Sequence, residues 1–150
     1  MKYFIIVLIA GIAGFATWYV LTGNEAVRTG SEDVSPPLSD EAMVLTEPLS
    51  GTTVTSPLLI RGKARGTWFF EGSFPVVLTD WDGRIIAEHY VTAQSDWMTE
   101  DWVPFEGELS FEMPQDVGDF SSRGALILRK DNPSGLPEHD DARELTIFFW

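Results

Sequence analysis

Residues Ser56 to Gly83 read SPLLIRGKARGTWFFEGSFPVVLTDWDG, in which short apolar runs are cut by Gly, Pro and Asp-Gly breaks. Runs of this length, rich in branched and aromatic residues, suit antiparallel strands joined by tight turns. The pattern continues on both sides. Met43–Thr46, Leu58–Ala64, Phe74–Trp81, Arg84–Val91, Phe105–Met113, Gly124–Lys130 and Arg143–Trp150 all read as strands. Pro48–Gly51 reads as a turn, and Asp82-Gly83 predicts a short hairpin between the third and fourth strands. Thr67–Glu71 reads either as a further strand or as an aromatic-rich connection. About seven strands, broken every eight to twelve residues, predict an all-β, immunoglobulin-like antiparallel β-sandwich.

Ahead of the strands, Tyr3 to Thr22 reads YFIIVLIAGIAGFATWYVLT and carries no charge. That is roughly the twenty residues an α-helix needs to cross the hydrocarbon layer of a bilayer. Lys2 precedes the segment, and Glu25, Glu32 and Asp33 follow it. The positive-inside bias then puts the N-terminus in the cytoplasm and the strands outside. Trp18 and Tyr19 stand where an interfacial aromatic pair is expected. The competing reading is a secretory signal cleaved near Gly14-Phe15-Ala16, although apolar character runs on past that point. Gly23 to about residue 42 is poor in apolar side chains and holds Pro36-Pro37, so it reads as a flexible tether. The expected organisation is an anchor over 1–22, a linker over 23–42 and a sandwich over 43–150.

Charge and composition narrow the function. The chain has 23 acidic and 10 basic residues, a formal net charge of −13, which argues against nucleic acid as a partner. It has no cysteine, which excludes disulfides, thiolate nucleophiles and Cys-ligated zinc. There is no G-x-S-x-G stretch, and the two histidines, His89 and His139, sit in no recognisable triad. Asp80, Asp82, Glu138, Asp140 and Asp141, with His139 beside them, are the best acids for a cation, but they follow no calcium-loop spacing. No cofactor and no catalytic residue is expected.

With the strands placed, the connecting segments resemble those of the bacterial spore germination immunoglobulin-like domain family. The resemblance is carried by Ser56-Pro57-Leu58 with Gly62-x-Ala64, then by Trp68-Phe69-Phe70-Glu71. It continues in Phe74-Pro75-Val76 leading to Asp80-x-Asp82-Gly83, and in Trp97-Met98. Phe105-x-Gly107-x-Leu109-x-Phe111 and Lys130-Asp131-Asn132-Pro133-Ser134-Gly135 complete it, so that it spans Met43 to Trp150. It implies a β-sandwich on secreted or membrane-anchored bacterial proteins that mediates interactions rather than catalysis.

Two aromatic clusters are the candidate binding residues. In Trp68-Phe69-Phe70-Glu71 strand alternation would send Phe69 to one face and Trp68 and Phe70 to the other. Such rings either close one end of the sandwich or anchor a partner, and Glu71 is suited to holding loop amides. Trp97-Met98-Thr99-Glu100-Asp101-Trp102 reads as a long loop whose rings either cover the core or form a platform. Trp68, Phe69, Glu71, Trp97, Met98 and Trp102 are therefore the expected contact residues. The partner is an envelope protein or, as the alternative, a cell-wall glycan bound by coplanar exposed Trp rings with adjacent acids. Trp81 is expected to pack on its hairpin, and the Asn132–Pro137 loop to be held by its own hydrogen bonds.

Overall fold

Alternating burial makes these segments strands: in Leu58–Arg65 the side chains of Leu58, Ile60 and Ala64 are buried while Arg61 and Lys63 face water. A computed structural model describes residues 37–116, 118 and 120–150, so the expected membrane segment and most of the linker lie outside the described residues. The strands are β1 (Met43–Glu47), β2 (Leu58–Arg65), β3 (Ser73–Thr79), β4 (Ile85–Ala93), β5 (Trp102–Leu109), β6 (Arg123–Arg129) and β7 (Ala142–Phe148). No helix among the described residues is long and apolar enough to cross a membrane.

Neighbours pair antiparallel in the order β1-β2-β5-β4-β3-β6-β7. The ladder folds over on itself as a sandwich, with β1, β2 and β5 facing β3, β6 and β7 across one hydrophobic cluster. Met43 and Leu45, Ile60, Phe105 and Leu109, Phe74 and Leu78, Leu126 and Leu128, and Leu145 and Ile147 fill its centre. Phe74, fully buried, takes the edge-to-face position against Trp68, Phe69 and Phe105 at centroid distances of 5.8, 5.1 and 5.0 Å. Each such contact adds to the burial of the rings themselves.

One strand departs from its expected span. The β5 strand begins at Trp102 and ends at Leu109, whereas Phe105–Met113 was the predicted span. Its partner β2 begins only at Leu58, opposite Leu109, so nothing remains to pair with Met113. Pro104 lies inside β5, its carbonyl accepting the Gln94 N–H at 2.8 Å. Of the two readings of Thr67–Glu71, the structure takes the aromatic-rich connection, between β2 and β3, and not the strand. A 3-10 turn at Gly66–Trp68 leads into a two-residue hairpin in which Phe70 and Ser73 exchange backbone bonds. Both central residues have positive φ, 50° at Glu71 and 77° at Gly72, which is the turn that matches strand twist. The predicted Asp82-Gly83 turn is present, with Gly83 at φ 77°. Asp80 holds it by accepting the Asp82 and Arg84 amides at 3.0 and 2.9 Å.

A sandwich has two seams where its layers meet, and unpaired strand edges there are hazards. The β1/β7 seam is closed twice. At one end Thr53 pairs parallel with Phe148, with Val54 N–H donating to the Phe148 carbonyl at 2.7 Å. At the other, Arg143 of β7 bonds Asp40 and Asp141. Asp40 also accepts the Ala42 and Met43 amides at 2.7 and 2.8 Å. Partial burial works to raise the Asp40 carboxyl, but the Ala42 amide, the Arg143 guanidinium and the Met43 amide outweigh it and hold the group below its ordinary range. Burial likewise opposes the Arg143 charge, and its bonds to Asp141 and Asp40 more than reverse that.

Two outcomes follow for stability. Phe74→Ala should lower the unfolding free energy by about 3–5 kcal/mol, read as a shifted denaturation midpoint, because three rings lose their common neighbour. Asp40→Ala should cost roughly 1 kcal/mol, the worth of its exposed bonds after solvent screening. A depressed carboxyl contributes stability above its unfolded pKa, near about 4, and loses it as pH falls through the folded value. Denaturation midpoints followed downward from neutral pH should therefore fall more steeply in the wild type than in Asp40→Asn. Parallel curves would refute the role given to the ion pair.

Candidate interaction surface

Six residues carried the expectation of a contact surface, and the topology brings all of them to one end of the sandwich. That end is where β2 finishes, β5 begins and the β6–β7 connection turns. The 3-10 turn after β2 places Trp68 and Phe69 consecutively in the core, at 2% and 4% exposure. Strand alternation does not apply in that turn, so neither ring is left open to a partner. Both close the sandwich end. Trp68 is capped further by the Arg143 guanidinium, 5.2 Å from its ring centroid. Its carbonyl accepts the Asp131 amide at 3.1 Å, tying the β6–β7 loop to the same end.

Glu71 is exposed, at the positive-φ position of its hairpin, and makes a turn rather than holding loop amides. The half-buried Trp97 packs its indole against Gly72, within 3.4 Å of where a Cβ would stand. Trp102 opens β5 opposite Arg65, and the guanidinium lies over its ring at 4.3 Å with the Lys63 ammonium at 5.2 Å. Arg65 is steadied by the Glu41 carbonyl at 3.1 Å. A ring face occupied by a cation is not offered to a sugar. Of the five apolar members of the six, Met98 alone stands in solvent, at 76% exposure, with Phe70 beside the cluster partly exposed as well.

The opposite end carries apolar side chains that the sequence reading passed over. Trp81 does not simply lie on its hairpin. It meets Phe120, from the β5–β6 connection, edge to face at 4.8 Å, and Phe120 is 59% exposed. Ile85 and Met113 are exposed beside them. Trp81, Ile85 and Met113, together with Asp82 and Glu112, line an open groove of 710 Å³. The sequence signal was the unbroken apolar character of Ile85-Ile86 directly after a turn, which hides whether the residues face the core or the rim.

The acids do not assemble. Among the described residues no group of three His, Asp or Glu side chains is placed to hold a metal ion. Asp80 is engaged by its own hairpin, with Arg84 Nε at 3.3 Å, while Asp141 is held by Arg143. Asp140 accepts from the Asn132 side chain at 2.8 Å, and the same amide group donates to the Leu136 carbonyl. The Asn132–Pro137 loop thus holds itself in shape. His89 and His139 are both exposed, on β4 and on the 3-10 turn Pro137–His139 respectively.

A family model described as the immunoglobulin-like domain of bacterial spore germination matches residues 42–123. No curated protein and no solved structure matches the chain. The family match runs from the start of β1 to the start of β6 and takes in both aromatic clusters and the Asp82-Gly83 hairpin. The Lys130–Gly135 stretch and β7 lie beyond it, where the sheet nevertheless continues. Matched over more than half of its 150 residues and folded as a seven-stranded β-sandwich, this chain belongs to the family of immunoglobulin-like domains of bacterial spore germination.

Proposed function

We propose that the chain is a non-catalytic interaction module of the bacterial envelope, held at the membrane by residues 3–22 with its sandwich outside the cell and engaging a partner protein. The observation that carries the reading is the Trp81–Phe120 pair with Ile85 and Met113, a group of large apolar side chains kept in solvent at one end of an acidic domain. Exposed aromatic and apolar groups that cluster in this way are the usual anchors of protein recognition. The uncharged run from Tyr3 to Thr22, bounded by Lys2 and by Glu25, supports the membrane attachment. The family is one of immunoglobulin-like domains, and the resemblance implies interaction rather than catalysis.

Two measurements test this. Alkaline extraction of host membranes should leave the full-length chain in the pellet, and protease added to intact cells should remove the sandwich; a soluble, shortened chain would mean that the segment is cleaved instead. A photo-crosslinking residue placed at Phe120 or at Met98 in the full chain should yield discrete protein adducts in living cells, unaffected by prior digestion of wall glycan. Adducts that vanish with the glycan would make the domain a carbohydrate binder. No adduct from either end would overturn the interaction reading.

A further inference from the structure

The second seam of the sandwich, between β4 and β5, is closed at only one end. Thr92 pairs with Glu106 and Ala93 with Phe105, and there the ladder stops. The strands still touch just beyond: a Cβ on Gly107 would lie 2.8 Å from Val91 Cγ1 and 3.0 Å from the Tyr90 carbonyl oxygen. Only a glycine permits so close an approach. Past that crossing the ladder does not resume, and the groove lined by Trp81, Ile85, Ile86, Met113, Asp82 and Glu112 lies at that end. The other seam, by contrast, is closed at both ends.

The direction of the β4 backbone follows from its remaining bonds. Gln94 N–H reaches the Pro104 carbonyl of β5, whereas Ala93 N–H reaches the Gly72 carbonyl on the β3 side. Backbone groups alternate along a strand, so Thr92, Tyr90 and Glu88 direct theirs toward β5. Tyr90 lies opposite Pro75, which has no N–H to offer it from β3. Tyr90 turns its carbonyl onto Gly107 of β5, so it is Glu88, further from the crossing, whose backbone groups meet no strand of the ladder among the described residues. The side chains of both are exposed, with Tyr90 at 53%.

We propose that the edge of β4 at Glu88 is the docking site for an extended, basic segment of a partner protein. The segment adds as a strand between β4 and β5 and lays alternate apolar side chains on Ile85, Ile86 and Met113. Strand addition uses the free backbone groups for affinity and the flanking side chains for choice of partner. Charge selects the occupant. Asp82 and Glu112 are exposed and line the groove, Glu88 is exposed on the strand edge, and Arg84, which also lines the groove, is engaged by Asp80. A second copy of this chain, with its net charge of −13, is repelled, as is the acidic stretch with Glu25, Glu32 and Asp33. The inference rests on the reading of the domain as a protein-recognition module.

The test uses the full chain in lipid nanodiscs and a synthetic peptide of about ten residues, the length of a long strand, in which Lys and Val alternate. Its controls are an alternating Glu/Val peptide and the same Lys and Val residues arranged in two blocks. The alternating Lys/Val peptide should bind at least about tenfold more tightly than either control, more weakly as salt rises, and should slow amide exchange at Glu88. Glu88→Pro removes the outward N–H without touching the ladder to β3, so it should lose about tenfold in affinity, while Glu88→Gln keeps most of it. Should the proline variant fail to fold, Asp82→Lys with Glu112→Lys must turn the preference toward the Glu/Val peptide. Equal binding of all three peptides, or protection elsewhere in the sandwich and not at Glu88, overturns the proposal. Protection at Glu88 that rises with chain concentration alone also overturns it, by making a second copy the occupant. If protein adducts form from Met98 while the peptide does not bind, only this site fails; if no adduct forms anywhere, the recognition reading fails with it.

Discussion

Phe74 is the residue on which one end of the sandwich depends. It enters β3 directly after the hairpin at Glu71-Gly72 and meets Trp68, Phe69 and Phe105 edge to face. Phe105 belongs to the opposite layer, so one ring joins both sheets and the connection between them. A chain without cysteine has no covalent brace, and the work of holding the layers together falls to such contacts. The consequence for function is direct. The aromatic cluster most conspicuous in the sequence is used up in stability, and its buried rings are not open to a partner.

The seams show the same division between structure and exposure. Asp40 and Arg143 close one edge at the end where Phe74 packs, and the Thr53–Phe148 pairing closes it at the other. Between β4 and β5 the close approach at Gly107 ends the ladder, and the groove beside Trp81 follows. The exposed apolar side chains of Trp81, Ile85 and Met113 line that groove. An unpaired edge is normally blunted by charge, by a bulge or by covering chain. Here β4 has both a register shift near Ile85 and the exposed acid Glu88.

How much could be read without the fold varied with the physics involved. The strands were legible because alternation of Leu58, Ile60 and Ala64 with charged neighbours is a local signal, as is Asp-Gly for a hairpin. The family was legible from loop wording, and the matched model agrees over residues 42–123. Where the reading failed, a local rule had been applied to a residue whose neighbours came from elsewhere. Trp68 and Phe69 were assigned to opposite faces by the strand rule, but a 3-10 turn carries both into the core. Trp81 was assigned to its own hairpin, but its ring partner, Phe120, lies 39 residues further along the chain. Trp102 reads in sequence as either a cover of the core or a platform, and what decides it is that Arg65 and Lys63 of the neighbouring strand lie over its ring.

The sequence by itself determined the class of fold, the number of strands, the main turns, the acidity of the domain and the family, all of which depend on patterns only a few residues long or on totals over the chain. Tertiary structure alone decided which aromatic side chains are buried and which are shown, which acids are engaged, and which strand edge is left without a neighbour. Those properties depend on pairings such as β2 with β5 and β3 with β6, made between segments far apart in the chain. A ring or a carboxylate carries no local mark of what will be brought against it, so exposure is settled only when the layers close.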